Sequence, residues 1–134
     1  MQEFNQKIIE EFRTNNGVVG GQFAGAGLLL LGTIGAKSGA QRTNPLVYVE
    51  DGDGLVIIAS YAGSPMHPPW YHNLVANSEV TVEVGSETYQ ARATLLGEPE
   101  RSDQYAKMAS AMPAFNEYAA KTSRVIPVIV LTRL

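Results

Sequence analysis

Lys37 and Arg42 are two cations five positions apart, with Ser38 and Gly39 between them. Glycine lets backbone N–H groups approach an anion closely, and the two side chains supply its countercharge. The stretch Gly35-Ala36-Lys37-Ser38-Gly39-Ala40-Gln41-Arg42 therefore reads in two ways. It is a phosphate or carboxylate site, or a solvated hairpin tip that carries charge for solubility. It is not a Walker loop: Gly32 falls five residues before Lys37, but no glycine precedes Lys37 directly.

A second cluster is Pro65-Met66-His67-Pro68-Pro69-Trp70-Tyr71-His72-Asn73. Trp70 and Tyr71 beside a polar Asn73 suit the wall of a planar-ligand site, or a loop that plugs a barrel end. His67 and His72 are the only histidines, and i, i+5 across two prolines does not place them on one helix face as a zinc pair requires. No cysteine or acidic ligand lies near them, so a metal site is not expected. Met112, Phe115 and Tyr118, at i, i+3 and i+6, fall on one side of a helix, where core packing is the first reading and a ligand wall the second. Nucleophilic catalysis has no support. Ser38 sits in Ala-Lys-Ser-Gly rather than a Gly-x-Ser-x-Gly elbow. Asp51 and Asp53 read as turn formers, not as an acid–base pair.

These residues must be positioned by one domain of 134 residues. A hydrophobic share of 45% and no cysteine mean a packed core without disulfides or thiolate metal sites, and fit a reducing compartment. The net charge of −3 argues against general nucleic-acid binding, which needs a surplus of Lys and Arg. The acidic start with Glu3, Glu10 and Glu11 does not look like a secretory signal. The uncharged stretch from Thr14 to Ala36 is long enough for a membrane span, but its seven glycines oppose a helix. It reads as a Gly-rich loop entering a buried strand.

Phe4, Ile8, Ile9 and Phe12 share one face of an expected helix over residues 2–13. That face packs on its own domain, or, in the minority reading, meets a membrane surface or a second subunit. Strands are expected over 28–34, 44–50 and 55–60, the last two joined by Asp51-Gly52-Asp53-Gly54. Pro69 to Ala76 suits a short helix with proline in its first turn. Val80, Val82 and Val84, then Tyr89, Ala91, Ala93 and Leu95, alternate around Gly85-Ser86 as a tight hairpin. Helices are expected over 99–111 and 114–121, and a closing strand over 125–131, where Pro127 implies a sheet edge or bulge. Without βαβ alternation, about six strands suit a small, mainly antiparallel barrel with flanking helices.

Taken together, three blocks resemble the deazaflavin-dependent nitroreductase family. They are Gly35-Ala36-Lys37-Ser38-Gly39 with Arg42 and Pro45-Leu46, His67-Pro68-Pro69-Trp70-Tyr71-His72-Asn73-Leu74, and Lys121-Thr122-Ser123-Arg124-Val125-Ile126-Pro127-Val128. The resemblance implies a split β-barrel of the flavin-reductase type over residues 1–134, with 1–20 as an N-terminal helix and Gly-rich lead-in. It implies coenzyme F-420, an 8-hydroxy-5-deazaflavin, whose reduced form delivers a hydride to a quinone, a nitroaromatic or an activated alkene. By the same resemblance Lys37 and Arg42, with Ser38, hold the cofactor's phosphate and acidic tail, and Asn44 and Pro45 lie along it. The strand end at Ile58, Ala59 and Ser60 gives backbone contacts to the ring, and Trp70 and Asn73 close the groove. Ser60 and Tyr118 match positions near the acceptor, and Met112, Phe115 and Tyr118 match the substrate pocket. Met112 and Phe115 stand where nitroreductases of the family often carry tyrosines, Ala36 where an arginine is common, and Tyr61 where a lysine is.

The ring of such a cofactor carries the hydride, so an empty search for a protein nucleophile is what this chemistry requires. The expected partner is a small-molecule acceptor, not nucleic acid. A homodimer, a peripheral membrane contact through the first helix, and a cytoplasmic location or one at the inner face of the membrane are further expectations. Two other readings stand beside this one: an FMN-dependent reductase on the same barrel, and a non-enzymatic module that binds the deazaflavin or a quinone.

Overall fold

The computed structural model describes residues 2–15, 17, 27–52 and 54–134, with side chains from Asn5 onward. Helix α1 (Gln2–Thr14) leads to strand β1 (Leu28–Ile34), then β2 (Gln41–Val47), β3 (Val49–Asp51) and β4 (Gly54–Ile58). Helix α2 (Pro69–Ala76), the hairpin β5 (Glu79–Val84) and β6 (Glu87–Leu95), helices α3 (Glu100–Ala111) and α4 (Ala114–Lys121), and β7 (Val128–Arg133) follow. The Gly-rich lead-in over 18–26 and Asp53 lie outside the described residues.

All pairings are antiparallel, in the order β2-β1-β5-β6-β7-β4-β3. The two ends of that order are one stretch of chain. It pairs with β1 before Tyr48 and with β4 after it. This change of partner at Tyr48, whose N–H still donates to Gly27 O at 3.1 Å, curls the sheet into a split barrel whose first and last members are continuous in the chain. That bend corrects the expected count from six strands to seven. The expected strand over 44–50 also starts earlier, at Gln41, so Arg42 sits on β2, opposite Thr33, rather than in the loop.

Both tight hairpins form as expected. Val84 pairs with Glu87 around Gly85-Ser86, and Asp51 with Gly54 around residues 52 and 53. Gly85 and Gly52 take φ of 58° and 59°, where a side chain would be strained. The closing strand differs from expectation. Val125 is 68% exposed, and β7 begins only at Val128, after Pro127, whose carbonyl accepts the Ala59 N–H at 3.0 Å. Because the proline precedes the ladder, β7 does not have to be an edge strand, and it runs between β6 and β4.

Strand β1 is buried on both faces. Leu29 and Leu31 join Ile57, Val80, Val82, Ile129 and Trp70 inside the barrel, while Leu28 and Leu30 meet Ile8, Ile9 and Phe12 of α1. The apolar face of α1 is therefore spent on its own domain. Each such side chain contributes roughly 1.5–3 kcal/mol before chain entropy is counted. On another side, Val56, Ile58 and Val128 pack against Met108, Ala109 and Phe115 of α3 and α4. No described helix is long and apolar enough to cross a membrane.

Candidate functional site

Among the described residues a groove of about 960 Å³ opens between α1, the β1–β2 loop, the start of β2 and α2. Asn5, Gln6 and Ile9 form one wall, Lys37, Ser38, Arg42 and Asn44 a second, and Met66, His67, Trp70 and His72 a third. A volume of this size takes an organic cofactor.

The β1–β2 loop is held by its own atoms. Gly35 N–H donates to Ala40 O at 2.7 Å, Gly39 N–H to Gly35 O at 2.9 Å, and Ala40 N–H to Ser38 Oγ at 3.1 Å. A side chain at Gly35 would place its Cβ 2.5 Å from Ser38 Oγ and displace that hydroxyl, and Gly39 has φ +70°, where a side chain would be strained. Asn73 ties the loop to α2. Its Oδ1 accepts the Ala36 N–H at 2.9 Å, and its Nδ2 donates to Thr33 Oγ1 at 3.1 Å, with both side chains buried. The amide of Asn73 is thus occupied by protein, and it shapes the groove by pinning the loop. Thr33 was not legible as part of this device. Among the described residues, the side chains of Lys37 and Arg42 have neither an ion pair nor a hydrogen bond, and both residues are exposed. Four other arginines, Arg13, Arg92, Arg101 and Arg133, are each paired with a glutamate elsewhere on the surface.

The chain from Ala59 to His67 adjoins the groove and is shaped by a residue that sequence reasoning missed. Arg124 donates from Nη1 to Ala59 O at 3.1 Å, from Nη2 to Ser60 O at 2.6 Å and from Nε to Ser64 O at 2.8 Å. Its Nη1 also lies 3.0 Å from His67 Nδ1. These contacts stabilise a turn in which Tyr61, Ala62 and Gly63 have φ of 49°, 54° and 80°. Left-handed backbone costs a non-glycine residue roughly 1–2 kcal/mol, so such a turn persists only where its surroundings fix it. Gly63 has no room for a side chain, since a Cβ would meet Tyr118 O at 2.9 Å. Burial, the Arg124 charge and His72 together lower the pKa of His67 below the ordinary imidazole value. Rings of His67 and Tyr71 stack with centroids 4.5 Å apart, and His72 lies edge-on to both.

Among the expected site residues, the groove brings together Lys37, Ser38, Arg42, Asn44, Trp70 and Asn73. Pro45, Ile58, Ala59 and Ser60 are not on its walls. All three of Ile58, Ala59 and Ser60 are buried, Ile58 in the cluster under α3 and α4, and the carbonyls of Ala59 and Ser60 accept from Arg124. Met112, Phe115 and Tyr118 pack in the cluster of Val56, Ile58 and Met108. There Phe115 is buried and lies edge-on to Tyr118 at 5.2 Å, as core packing requires. No group of three or more potential metal ligands converges among the described residues.

A split barrel with a cofactor-sized groove, and on its wall two cations unpaired among the described residues, is an arrangement suited to an organic anion. Comparison with known proteins narrows the class. The family model of the F420H(2)-dependent quinone reductases matches residues 5–133, and the chain belongs to that family. It is 41% identical over 128 residues to an F420H(2)-dependent quinone reductase of Mycobacterium tuberculosis (strain H37Rv), covering 91% of this chain and 85% of that one. Among solved structures it is similar to an F420-H2 dependent reductase, with 38% identity, a TM-score of 0.71, and coverage of 78% of this chain and 92% of the other. A domain-swapped dimer is similar at 36% identity and TM-score 0.74, over 97% and 95% of the two chains. A heme storage protein from Vibrio cholerae, 16% identical with TM-score 0.63 over 97% and 90%, shares the fold alone.

Proposed function

We propose that the groove holds coenzyme F-420 and that the chain is a reductase that presents this cofactor to a quinone. Family membership supports the cofactor, the enzymatic activity and the quinone acceptor together. The observation that carries the assignment to this groove is the pair Lys37 and Arg42, whose side chains on its wall have no partner among the described residues while four other arginines are paired. A phosphate with an acidic tail is the ligand that such a pair fits. Within the loop, the N–H groups of Gly35, Ala36, Gly39 and Ala40 are already spent, which leaves the side-chain cations as the charge that an anion would meet.

The bound coenzyme supplies the hydride. The protein binds, orients and excludes water, which is all that hydride transfer asks of it. Lys37 and Arg42, with Ser38, hold the anionic end. Asn44 and Pro45 follow along β2, and Trp70 offers an apolar face from α2. Backbone at Ile58, Ala59 and Ser60 lies behind the ring, with Ser60 and Tyr118 toward the acceptor, and Met112 and Phe115 shape that side from within the core. Nitroaromatics and activated alkenes are further acceptors in this reading. A homodimer has support from the domain-swapped dimer found among similar structures. The apolar face of α1 is buried on β1, which favours attachment to its own barrel over a membrane contact.

The test is turnover of reduced coenzyme F-420 with menadione, read by the return of deazaflavin fluorescence. Turnover in the wild type and its loss in Lys37→Ala with Arg42→Ala are expected. Turnover that needs FMN instead would transfer the barrel to ordinary flavin chemistry, and binding of the coenzyme without turnover would leave a carrier.

A further inference from the structure

We propose that Arg124 fixes His67 as a neutral imidazole with its proton on Nε2, so that His67 is a hydrogen-bond donor to an oxygen of the ligand in the groove. The inference rests on the groove being the ligand site. A guanidinium has donors and no acceptor. At 3.0 Å from Arg124 Nη1, His67 Nδ1 must therefore be the acceptor, and the single proton of the neutral ring must sit on Nε2. Arg124 cannot swing aside to accept another state, because its other N–H groups hold Ala59 O, Ser60 O and Ser64 O.

A protonated His67 would set an N–H against the guanidinium. The charged and titratable groups around the ring are Arg124, His72 and Tyr71. None of them is an acid that would stabilise imidazolium. Burial acts in the same direction, and the lowered pKa agrees. His67 is on the groove wall, and no described residue accepts a hydrogen bond from its Nε2. His67 thus adds a neutral donor of fixed tautomer to a wall that also carries the cations Lys37 and Arg42. Such a donor is suited to a carbonyl or phenolate oxygen, which either the deazaflavin ring or the quinone offers.

The first test needs no ligand. Nitrogen-15 correlation spectra of the imidazoles, assigned with His67→Gln, are expected to show His67 with an unprotonated Nδ1 and a protonated Nε2. Its titration midpoint should lie below about 6.5. In Arg124→Met the tautomers should mix and the midpoint should rise. If that variant does not fold, Arg124→Lys, which keeps charge but loses the fork, should still loosen the preference. A proton on Nδ1, or a midpoint at or above the ordinary value in the wild type, overturns the proposal.

The second test uses the loaded protein. His67→Phe should lose about tenfold, the scale of one hydrogen bond, and His67→Gln, which keeps a donor, should recover most of it. A loss in Kd for coenzyme F-420 assigns the oxygen to the cofactor. A loss in kcat with menadione at unchanged Kd assigns it to the acceptor. If His67→Phe matches the wild type in both, the proposal falls while the reading of the groove stands. If the wild type binds no coenzyme, the reading of the groove falls, and the ligand half of the proposal with it.

Discussion

Among the described residues the side chains of Lys37 and Arg42, on the groove wall, have no protein partner, whereas Arg124, which holds the adjoining chain from Ala59 to His67, has four. The β1–β2 loop keeps its backbone in order with its own hydrogen bonds and with Asn73, and the side chains of Lys37 in the loop and Arg42 at the start of β2 are not used to hold it. The segment from Ala59 to His67 is the reverse case. Its backbone takes left-handed angles at Tyr61 and Ala62, and a cation from the other end of the chain is consumed in holding it. The same residue type therefore does two jobs. An unpaired surface cation offers binding energy, and a fully engaged one fixes geometry.

The largest effect should come from breaking the engaged side. Arg124→Met takes the guanidinium donors from Ala59 O and Ser64 O and leaves Ser60 O with the Gly63 N–H alone, and stability should fall by roughly 4 kcal/mol, since each bond to a charged group contributes roughly 1.5–3 kcal/mol and losses within one network do not add fully. Urea unfolding reads it. A loss below about 1 kcal/mol would mean that the turn holds itself. Next comes the free side. Lys37→Ala with Arg42→Ala should weaken coenzyme F-420 binding by roughly 3 kcal/mol, the low end for two charged contacts because both side chains are exposed and screened by salt. Its unfolding midpoint should not move. A stability loss equal to that of Arg124→Met would erase the distinction between the two sides.

Asn73→Ala sharpens the comparison, because it converts the ordered loop into a loose one without touching its charge. The Ala36 N–H and Thr33 Oγ1 both lose their partner, so stability should drop by about 2 kcal/mol and binding should weaken although Lys37 and Arg42 remain. Unchanged binding would show that the loop needs no pin. The smallest effect is expected far from the groove. Arg92→Ala removes an exposed pair with Glu79, and both stability and binding should stay within about 0.5 kcal/mol of the wild type.

What the sequence reveals of this molecule follows the range of the interaction concerned. The hairpins around Gly52 and Gly85 are legible because a two-residue turn is a local matter of backbone angle. Helix α2 is legible because proline can open a helix and cannot sit inside one. The bend at Tyr48 is not, since no glycine or proline marks it and closure depends on pairing partners far apart in the chain. The run Val125 to Pro127 looks like strand by composition, yet Val125 is exposed and the proline ends the ladder.

Within the site, Lys37, Arg42 and Trp70 are legible as residue types suited to an anion and a flat ring. Arg124 is not, although it lies in a recognisable block, because its partners are carbonyls about sixty positions away that carry no side-chain signature. Phe115 shows the converse limit. Its helical spacing with Met112 and Tyr118 suits a core and a pocket equally, and only the packing around it decides how much of it is covered.

Fluorescence titration of the wild type and of Lys37→Ala with Arg42→Ala, each with oxidised coenzyme F-420 and with FMN, tests the central claim most directly. The account predicts tight binding of the deazaflavin to the wild type, weaker binding of FMN, and a loss of roughly a hundredfold for the deazaflavin in the double variant. Equal deazaflavin affinity in the two proteins, with both folded, would contradict it.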